Sequence, residues 1–238
     1  MFCGSGTLSK AVRNNGSHVL KWDIAYGKCY DLCDRANVSL IIGWITSGLI
    51  WGVHVSTPSY TYVKHDHDHV AIRTAFDPMG ASSCTYSDKV AIKQANQLLK
   101  ASVAVICCAR RAMIPVTLEN PASSLLFLTP PLLQLLRLPG VDDITVDSCM
   151  FGSPWRKPLR IIGFNVPLGP LAAFKCNSSL QGRCMRTGAF HVLLCGFGAY
   201  SGKVRTPLTY PRKFCVELAR CYSNAFAFRR AMYVQSRL

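Results

Sequence analysis

The chain alternates between short apolar runs and longer stretches in which apolar residues recur with helical spacing. Leu8, Ala11 and Val12 have that spacing after a glycine turn, and Gly16 can close the helix. Residues 19–22 read as a strand ending in Asp23, and residues 25–38 are polar and loop-like. Residues 41–49 read as a helix and 50–56 as a buried strand, broken by Thr57-Pro58. Residues 59–87 are rich in His, Asp, Pro, Gly and Ser, and an irregular stretch of that length inside a domain is a functional or mobile segment. Residues 89–108 read as a helix with Val90, Ala95, Leu98, Leu99 and Val103 on one face. Residues 114–118 form an apolar strand that delivers Glu119-Asn120-Pro121. A helix over 132–138 is closed by Pro139-Gly140, and strands over 144–146 and 159–165 flank Phe151-Gly152-Ser153-Pro154. Residues 174–187 are a Cys/Gly/Ser-rich insertion, and 190–200 read as a further strand. A last helix runs from Pro211 to about residue 233, with Phe214, Leu218, Tyr222 and Phe226 repeating every four residues.

This rhythm predicts an α/β fold with a doubly wound, mainly parallel sheet. Ligands in such sheets sit beyond the carboxyl ends of the strands. Three predicted strand ends carry pointed chemistry: Asp23, Thr57-Pro58-Ser59 and Glu119-Asn120-Pro121. Residues 1–165 make the expected cofactor-binding and catalytic core. Residues 166–238 hold a small Cys/His-containing insertion, a closing strand and the C-terminal helix. At the start of the chain, Gly4 and Gly6 allow close backbone approach to a ligand, and Asp23 stands about where a ribose-binding carboxylate is needed. A tight turn before an ordinary helix has the same pattern.

Charge changes the picture. Lys and Arg number 27 against 12 Asp and Glu, a formal charge of +15. That excess points to a polyanionic partner, nucleic acid in the first place, with plain solubility as the other explanation. The twelve cysteines, with no secretory signal peptide ahead of them, read as reduced thiols, buried small residues or metal ligands. The expected location is intracellular, in nucleus or cytoplasm. Residues 38–55 are long and apolar enough to raise a membrane span, but Ser39, Thr46, Ser47 and the internal glycines favour a buried helix running into a buried strand.

Two groups of residues have metal-binding chemistry. His65, His67 and His69 alternate with Asp66 and Asp68, which suits either a divalent ion or a solvated loop. Cys149, Cys176, Cys184 and His191 make a candidate Cys₃His zinc site, although their spacing is not that of a compact knuckle. Cys107, Cys108, Trp44 and Trp51 are expected in the core.

The ordered elements resemble the DNA (cytosine-5) methyltransferases and their relatives in the S-adenosylmethionine-dependent Rossmann-like superfamily. Phe2-x-Gly4-x-Gly6 resembles motif I, which holds the methionine part of the cofactor. Trp22-Asp23 resembles the acidic end of motif II, which binds the ribose. Thr57-Pro58-Ser59 stands where the family has its Pro-Cys motif IV, and Glu119-Asn120-Pro121 resembles motif VI. The run from Phe151 to Gly163, with Arg156, Lys157 and Arg160, resembles motif VIII. The resemblance covers roughly residues 1–165.

The resemblance implies S-adenosylmethionine as cofactor and DNA as partner, with RNA not separated from it. It also implies a base flipped out of the duplex. In the family a thiolate adds to carbon 6 of cytosine while a glutamate holds the ring edge, and carbon 5 takes the methyl group from the sulfonium. Glu119 matches the glutamate, and Arg156 and Arg160 match groups that touch phosphate or the flipped nucleotide. Phe2, Gly4, Gly6, Trp22, Asp23 and Pro58 match cofactor positions. Ser59 replaces the nucleophilic Cys, and a serine hydroxyl is far less ionised than a thiol at neutral pH. The strand that precedes motif I in the family is not in the sequence, so the expected fold lacks its first strand, as in an incomplete or degenerate copy or a late start codon. Two other readings fit the same residues. One is a nucleic-acid-binding protein without activity. The other is a methyltransferase acting on RNA or an exocyclic amine, for which no thiol is needed.

Overall fold

The computed structural model describes residues 1–63, 72–177, 182–195, 204–205 and 209–235 of the 238. Its centre is a four-stranded sheet of β1 (Val53–Val55), β2 (Val116–Pro121), β3 (Val141–Asp147) and β4 (Pro158–Phe164), in the order β1-β2-β4-β3. β1 and β2 are parallel, with Val53 opposite Val116 and Val55 opposite Leu118. β4 is antiparallel to both β2 and β3. The sheet is therefore mixed, which corrects the expectation of a mainly parallel one. The physical reason is the connection after β3: only the 3₁₀ turn Ser148–Phe151 and a short loop separate it from β4, too little chain for a parallel crossover.

Helices cover both faces, so β2 is buried along nearly its whole length. Against one face pack α2 (Arg35–Thr46), α3 (Tyr86–Arg111) and α4 (Pro130–Leu136), around Val53, Val55, Val116, Leu118, Ile162 and Phe164. Against the other pack α1 (Thr7–Asn14), the one-turn α5 (Gly169–Ala172) and α6 (Arg212–Gln235), around Val146, Leu159 and Ile161. Side chains of β4 alternate between the two cores, as a pleated strand requires. Outside this body a short parallel pair joins β5 (Leu194–Cys195) and β6 (Val204–Arg205).

Local chemistry accounts for several element ends. The Thr85 hydroxyl accepts the Asp88 N–H while the Asp88 carboxylate accepts the Thr85 N–H, a reciprocal cap that starts α3 three residues earlier than the apolar pattern predicts. Asp34 caps α2 by accepting the Ala36 N–H. The apolar stretch 38–55 divides into α2 and β1, and among the described residues no helix is long and apolar enough to cross a membrane. Residues 59–63 and 72–85 contain no helix or strand, as the sequence predicts. α6 buries Phe214, Leu218 and Tyr222 as their spacing predicts, and it approaches the sheet edge so closely that a Cβ on Gly52 would lie 2.8 Å from the Phe226 ring.

Three further expectations are corrected. Residues 19–22 form no strand: Trp22 makes one backbone bond, accepting the Phe2 N–H, and its ring is buried edge-on to Tyr30 and Trp44. The strand over 190–200 shrinks to β5 among the described residues, and 196–200 lie outside them. Trp51, expected in the core, is 46% exposed, with the Arg229 guanidinium 5.5 Å from its ring centre.

The start of the chain continues the sheet beyond β1. The Met1 amino group donates to the His54 carbonyl at 2.7 Å, and the Ser56 N–H donates to the Met1 carbonyl at 3.4 Å. That pair of bonds is the repeat of a parallel ladder. Phe2 then donates to Trp22 on the other side at 2.8 Å. Met1 and Phe2 thus stand between β1 and Trp22 and run parallel to β1, as a two-residue stump where the sequence led us to expect no strand.

Candidate functional site

Met1–Phe2, β1 and β2 all run the same way, so Cys3–Gly6, Ser56–Ser59 and the last three residues of β2, Glu119–Pro121, lie at the carboxyl end of these strands. The chain leaves the Met1–Phe2 stump through α1, on the α6 face, to reach Trp22 on one side. It returns through α2, on the opposite face, to β1 on the other side. In open α/β sheets a reversal of that kind is where a ligand crevice is expected, here at the carboxyl ends of Met1–Phe2 and β1.

The loop that enters the crevice is conformationally unusual. Phe2, Gly4 and Gly6 have φ of 55°, 44° and 70°. A left-handed residue with a bulky side chain, such as Phe2, is uncommon and clusters at binding sites. The Gly4 N–H donates to Asp23 Oδ2 at 2.9 Å, while Asp23 Oδ1 accepts the Ala25 N–H at 3.0 Å. The structure thereby brings together Gly4 and Asp23, while Gly6 lies against the Lys21 side chain. Trp22 faces the core instead of the crevice.

At the end of β2, Glu119 is 3% exposed. Its Oε2 accepts hydrogen bonds from the Tyr210 hydroxyl and, at 3.3 Å, from the Ser56 hydroxyl. Tyr210 and Ser56 are also 2.9 Å apart. The polar chain continues along the α6 face of the sheet. His54 Nε2 lies 3.4 Å from the Tyr210 oxygen, His54 Nδ1 lies 2.8 Å from Thr117 Oγ1, and Thr117 Oγ1 lies 2.7 Å from the Tyr222 hydroxyl. Tyr222 donates to the Val53 carbonyl.

Burial sets the protonation states here. It pushes the Glu119 carboxyl up, against the Tyr210 bond, the Lys157 charge and the Ser56 bond, which pull it down. It also holds Tyr210 well above the usual phenol range, with the Glu119 charge adding to the effect. His54 is brought down to about 3 by burial and by the Met1 ammonium. A neutral imidazole protonated on Nε2 can donate to the Tyr210 oxygen and accept at Nδ1 from the Thr117 hydroxyl.

Asn120, 1% exposed, donates from Nδ2 to the Thr57 carbonyl at 2.7 Å, and its Oδ1 has no hydrogen-bond partner. A buried acceptor left unpaired costs roughly 1–3 kcal/mol and calls for a ligand or a water. Ser59 is half-buried, and its carbonyl accepts the Tyr62 and Val63 N–H groups. The hydroxyl that reaches Glu119 belongs to Ser56, three residues earlier. Thr57 turns to α3, where its hydroxyl pairs with Ser102 at 2.8 Å, and Pro58 is half-buried beside it. Arg160 forks onto Asp143 at 2.6 and 2.8 Å and lies 4.5 Å from the Phe127 ring centre. Arg156 donates to Asp147 at 3.0 Å. Ser56, His54 and Tyr210 were not singled out from the sequence. Ser56 and His54 flank the Thr-Pro turn and carry a local signal, whereas Tyr210 carries none.

A second cluster lies at the far end of β3. Cys149, Cys176, Cys184 and His191 are brought together, with their ligand atoms all within 4.8 Å of one another. These four could hold a metal ion. Within the cluster, burial keeps Cys149 a protonated thiol, with Cys176 and Cys184 adding to the effect. Burial also opposes ionisation of Cys184, but backbone N–H groups of Arg186 and Thr187, the Thr187 hydroxyl and His191 outweigh it and bring Cys184 down to about 6. The other histidine group, His65, His67 and His69, lies outside the described residues.

A surface hollow of about 420 Å³ is lined by Lys89, Lys93, Lys100 and Asn96 of α3, away from both clusters, and adds a basic stripe to that helix. The chain matches no known protein family, no curated protein and no solved structure.

Proposed function

We propose that this protein is an S-adenosylmethionine-dependent methyltransferase-like protein with a Rossmann-like core, of the DNA cytosine-5 type, in which Ser59 stands in place of the nucleophile. The observation that carries the reading is the bond from the Gly4 N–H to the Asp23 carboxylate at a sheet crevice. It joins the glycine loop and the acidic residue, the two features a nucleoside cofactor needs side by side. Gly4–Gly6 would lie along the methionine part of the cofactor, and Asp23 would exchange its bond from Gly4 for the ribose hydroxyls. Glu119 and Asn120, one strand further along, would take the edge of the acceptor base. Lys89, Lys93 and Lys100 on α3 supply charge for a phosphate backbone.

Carbon-5 transfer requires a nucleophile that adds to carbon 6 and is later eliminated as the carbon-5 proton leaves. Ser59 is poorly suited to that step, since no base is bonded to its hydroxyl among the described residues. The unpaired Asn120 Oδ1 favours a second reading, transfer to an exocyclic amine. There the nitrogen attacks the methyl group directly, S-adenosylhomocysteine leaves, and the amine proton is lost. Two buried acceptors, Glu119 and Asn120 Oδ1, suit an N–H donor.

Calorimetry with S-adenosylmethionine tests the proposal. Saturable binding that weakens at least tenfold in Asp23→Ala is expected, and the absence of saturable binding in the wild-type chain overturns both readings. Incubation of duplex and single-stranded DNA and RNA with labelled cofactor then separates them. 5-Methylcytosine appearing only with Ser59→Cys supports the first, and an N-methylated base made by the wild type supports the second.

A further inference from the structure

The segments 174–177 and 182–195 have almost no apolar core of their own. Met185, Phe190 and Leu193 are 66%, 61% and 70% exposed. What is buried there is sulfur: Cys176 and Cys184 pack with Cys149 in a cluster separate from both cores of the sheet, with only Met150 against it. Such a lobe needs a staple to be ordered, and three thiols without a disulfide do not supply one.

The geometry around these sulfurs is that of a metal cage. Zinc–sulfur bonds of about 2.3 Å and zinc–nitrogen bonds of about 2.0–2.1 Å in a tetrahedron place sulfur and nitrogen roughly 3.6 Å apart. Cys176 Sγ and His191 Nε2 are 3.7 Å apart. The His191 ring is fixed by its other nitrogen, because Nδ1–H donates to the Gly182 carbonyl at 2.8 Å and leaves the Nε2 lone pair toward the sulfurs. The Met185 N–H points at Cys176 Sγ from 3.4 Å. The backbone is arranged to hold these positions: Cys184 donates to Ala189 and accepts from Gly188, both at 2.7 Å, and Arg186 Nε donates to the Cys149 carbonyl at 2.9 Å.

We propose that Cys149, Cys176, Cys184 and His191 bind one zinc ion in a closed structural site that fastens this lobe to the end of β3. Three thiolates and an imidazole select zinc over magnesium or calcium, and four protein ligands leave no position for a substrate. The site is independent of the methyltransferase reading and stands or falls without it.

Metal analysis of the full chain, purified under reducing conditions without chelator, tests the inference. About one zinc per chain is expected, lost in Cys176→Ser and in His191→Ala, and kept in Cys107→Ser. Cobalt replacing the ion should give the intense visible bands of tetrahedral thiolate coordination. Limited proteolysis of the wild type covers the case in which the variants fail to fold. Chelation should open cleavage within 174–195 while circular dichroism of the sheet and helices persists, and zinc but not magnesium should restore protection. A purified chain without zinc that neither binds added zinc nor gains protection from it overturns the proposal, as does full zinc content in Cys176→Ser.

Discussion

The Tyr210 hydroxyl donates to the Glu119 carboxylate, a buried bond between residues 91 positions apart that closes the loop before α6 over the end of β2. It sits where the proposed acceptor would bind, so the same bond stabilises the fold and occupies the site.

Tyr210→Phe leaves Glu119 buried with only the Ser56 hydroxyl and the Lys157 charge against it. The expected loss is about 2 kcal/mol in urea unfolding. Adding Glu119→Gln should recover part of it, because the amide carries no charge to be left unpaired. An equal loss in both variants would mean that ring packing, not the bond, is what Tyr210 contributes.

His54 gives the fold a dependence on acid. The imidazole is neutral in the folded chain, down at about 3, while an unfolded histidine takes its proton near 6.5. Its contribution is fully present above pH ~6.5 and is lost as pH falls toward the folded value, at up to about 1.4 kcal/mol per pH unit. Glu119, raised by burial, acts in the opposite sense, adding stability at low pH that fades as pH rises through its folded value. Comparing wild type with His54→Asn isolates the first effect: the gap between the two stability curves should be constant above pH ~6.5 and shrink as pH falls below it. Parallel curves would exclude it.

Arg73 is 4% exposed and has no carboxylate partner among the described residues. Its guanidinium donates to Thr61, to the Pro78 carbonyl at 2.7 Å and to the Ile92 carbonyl, and lies 3.9 Å from the Tyr62 ring centre. It ties the two irregular segments around residue 73 to α3. Arg73→Ala should cost about 3 kcal/mol, since the packing on Tyr62 and the donors to Thr61 and the Pro78 carbonyl are lost together. Thermal unfolding measures this, and a change below ~1 kcal/mol would show that the segments are held elsewhere.

Gly4→Ala separates strain from folding. A Cβ at Gly4 meets nothing within 4 Å, so the only penalty is the left-handed backbone at φ 44°. The penalty, roughly 1–2 kcal/mol, should fall on the loop. Cofactor affinity measured by calorimetry should drop about tenfold while the melting temperature moves little. Unchanged affinity would detach this loop from the cofactor.

The long elements were legible because their signals are local. The four-residue repeat of α6 and the apolar run into Glu119 needed no knowledge of partners. Residues 19–22 misled because a strand is made by its neighbour, and among the described residues their one backbone bond runs from Phe2 to Trp22. The reversal at β4 came from loop length, which the apolar pattern does not report. The four candidate metal ligands were legible by residue type, although the spacing argued against them. Ser56 was passed over for Ser59 because a motif position was matched by sequence, whereas direction along β1 decides which hydroxyl faces Glu119. Nothing near Tyr210 in sequence announces a partner on β2.

Asp147 links the sulfur cluster to the Arg156 loop. Only 3% exposed, it gives one oxygen to Arg156 at 3.0 Å and the other to the Cys176 N–H at 2.8 Å. A single anion so divided makes the lobe and the arginine thermodynamically non-independent: whatever tightens one oxygen's bond alters the field felt by the other. A double-mutant cycle between Arg156→Ala and Cys176→Ser should return an interaction energy of about 0.5 kcal/mol or more, whereas Arg160→Ala, anchored on Asp143, should combine with Cys176→Ser additively. Occupancy of the cage would then tune Arg156, the side chain for which the family resemblance implies a nucleotide contact, through a shared carboxylate.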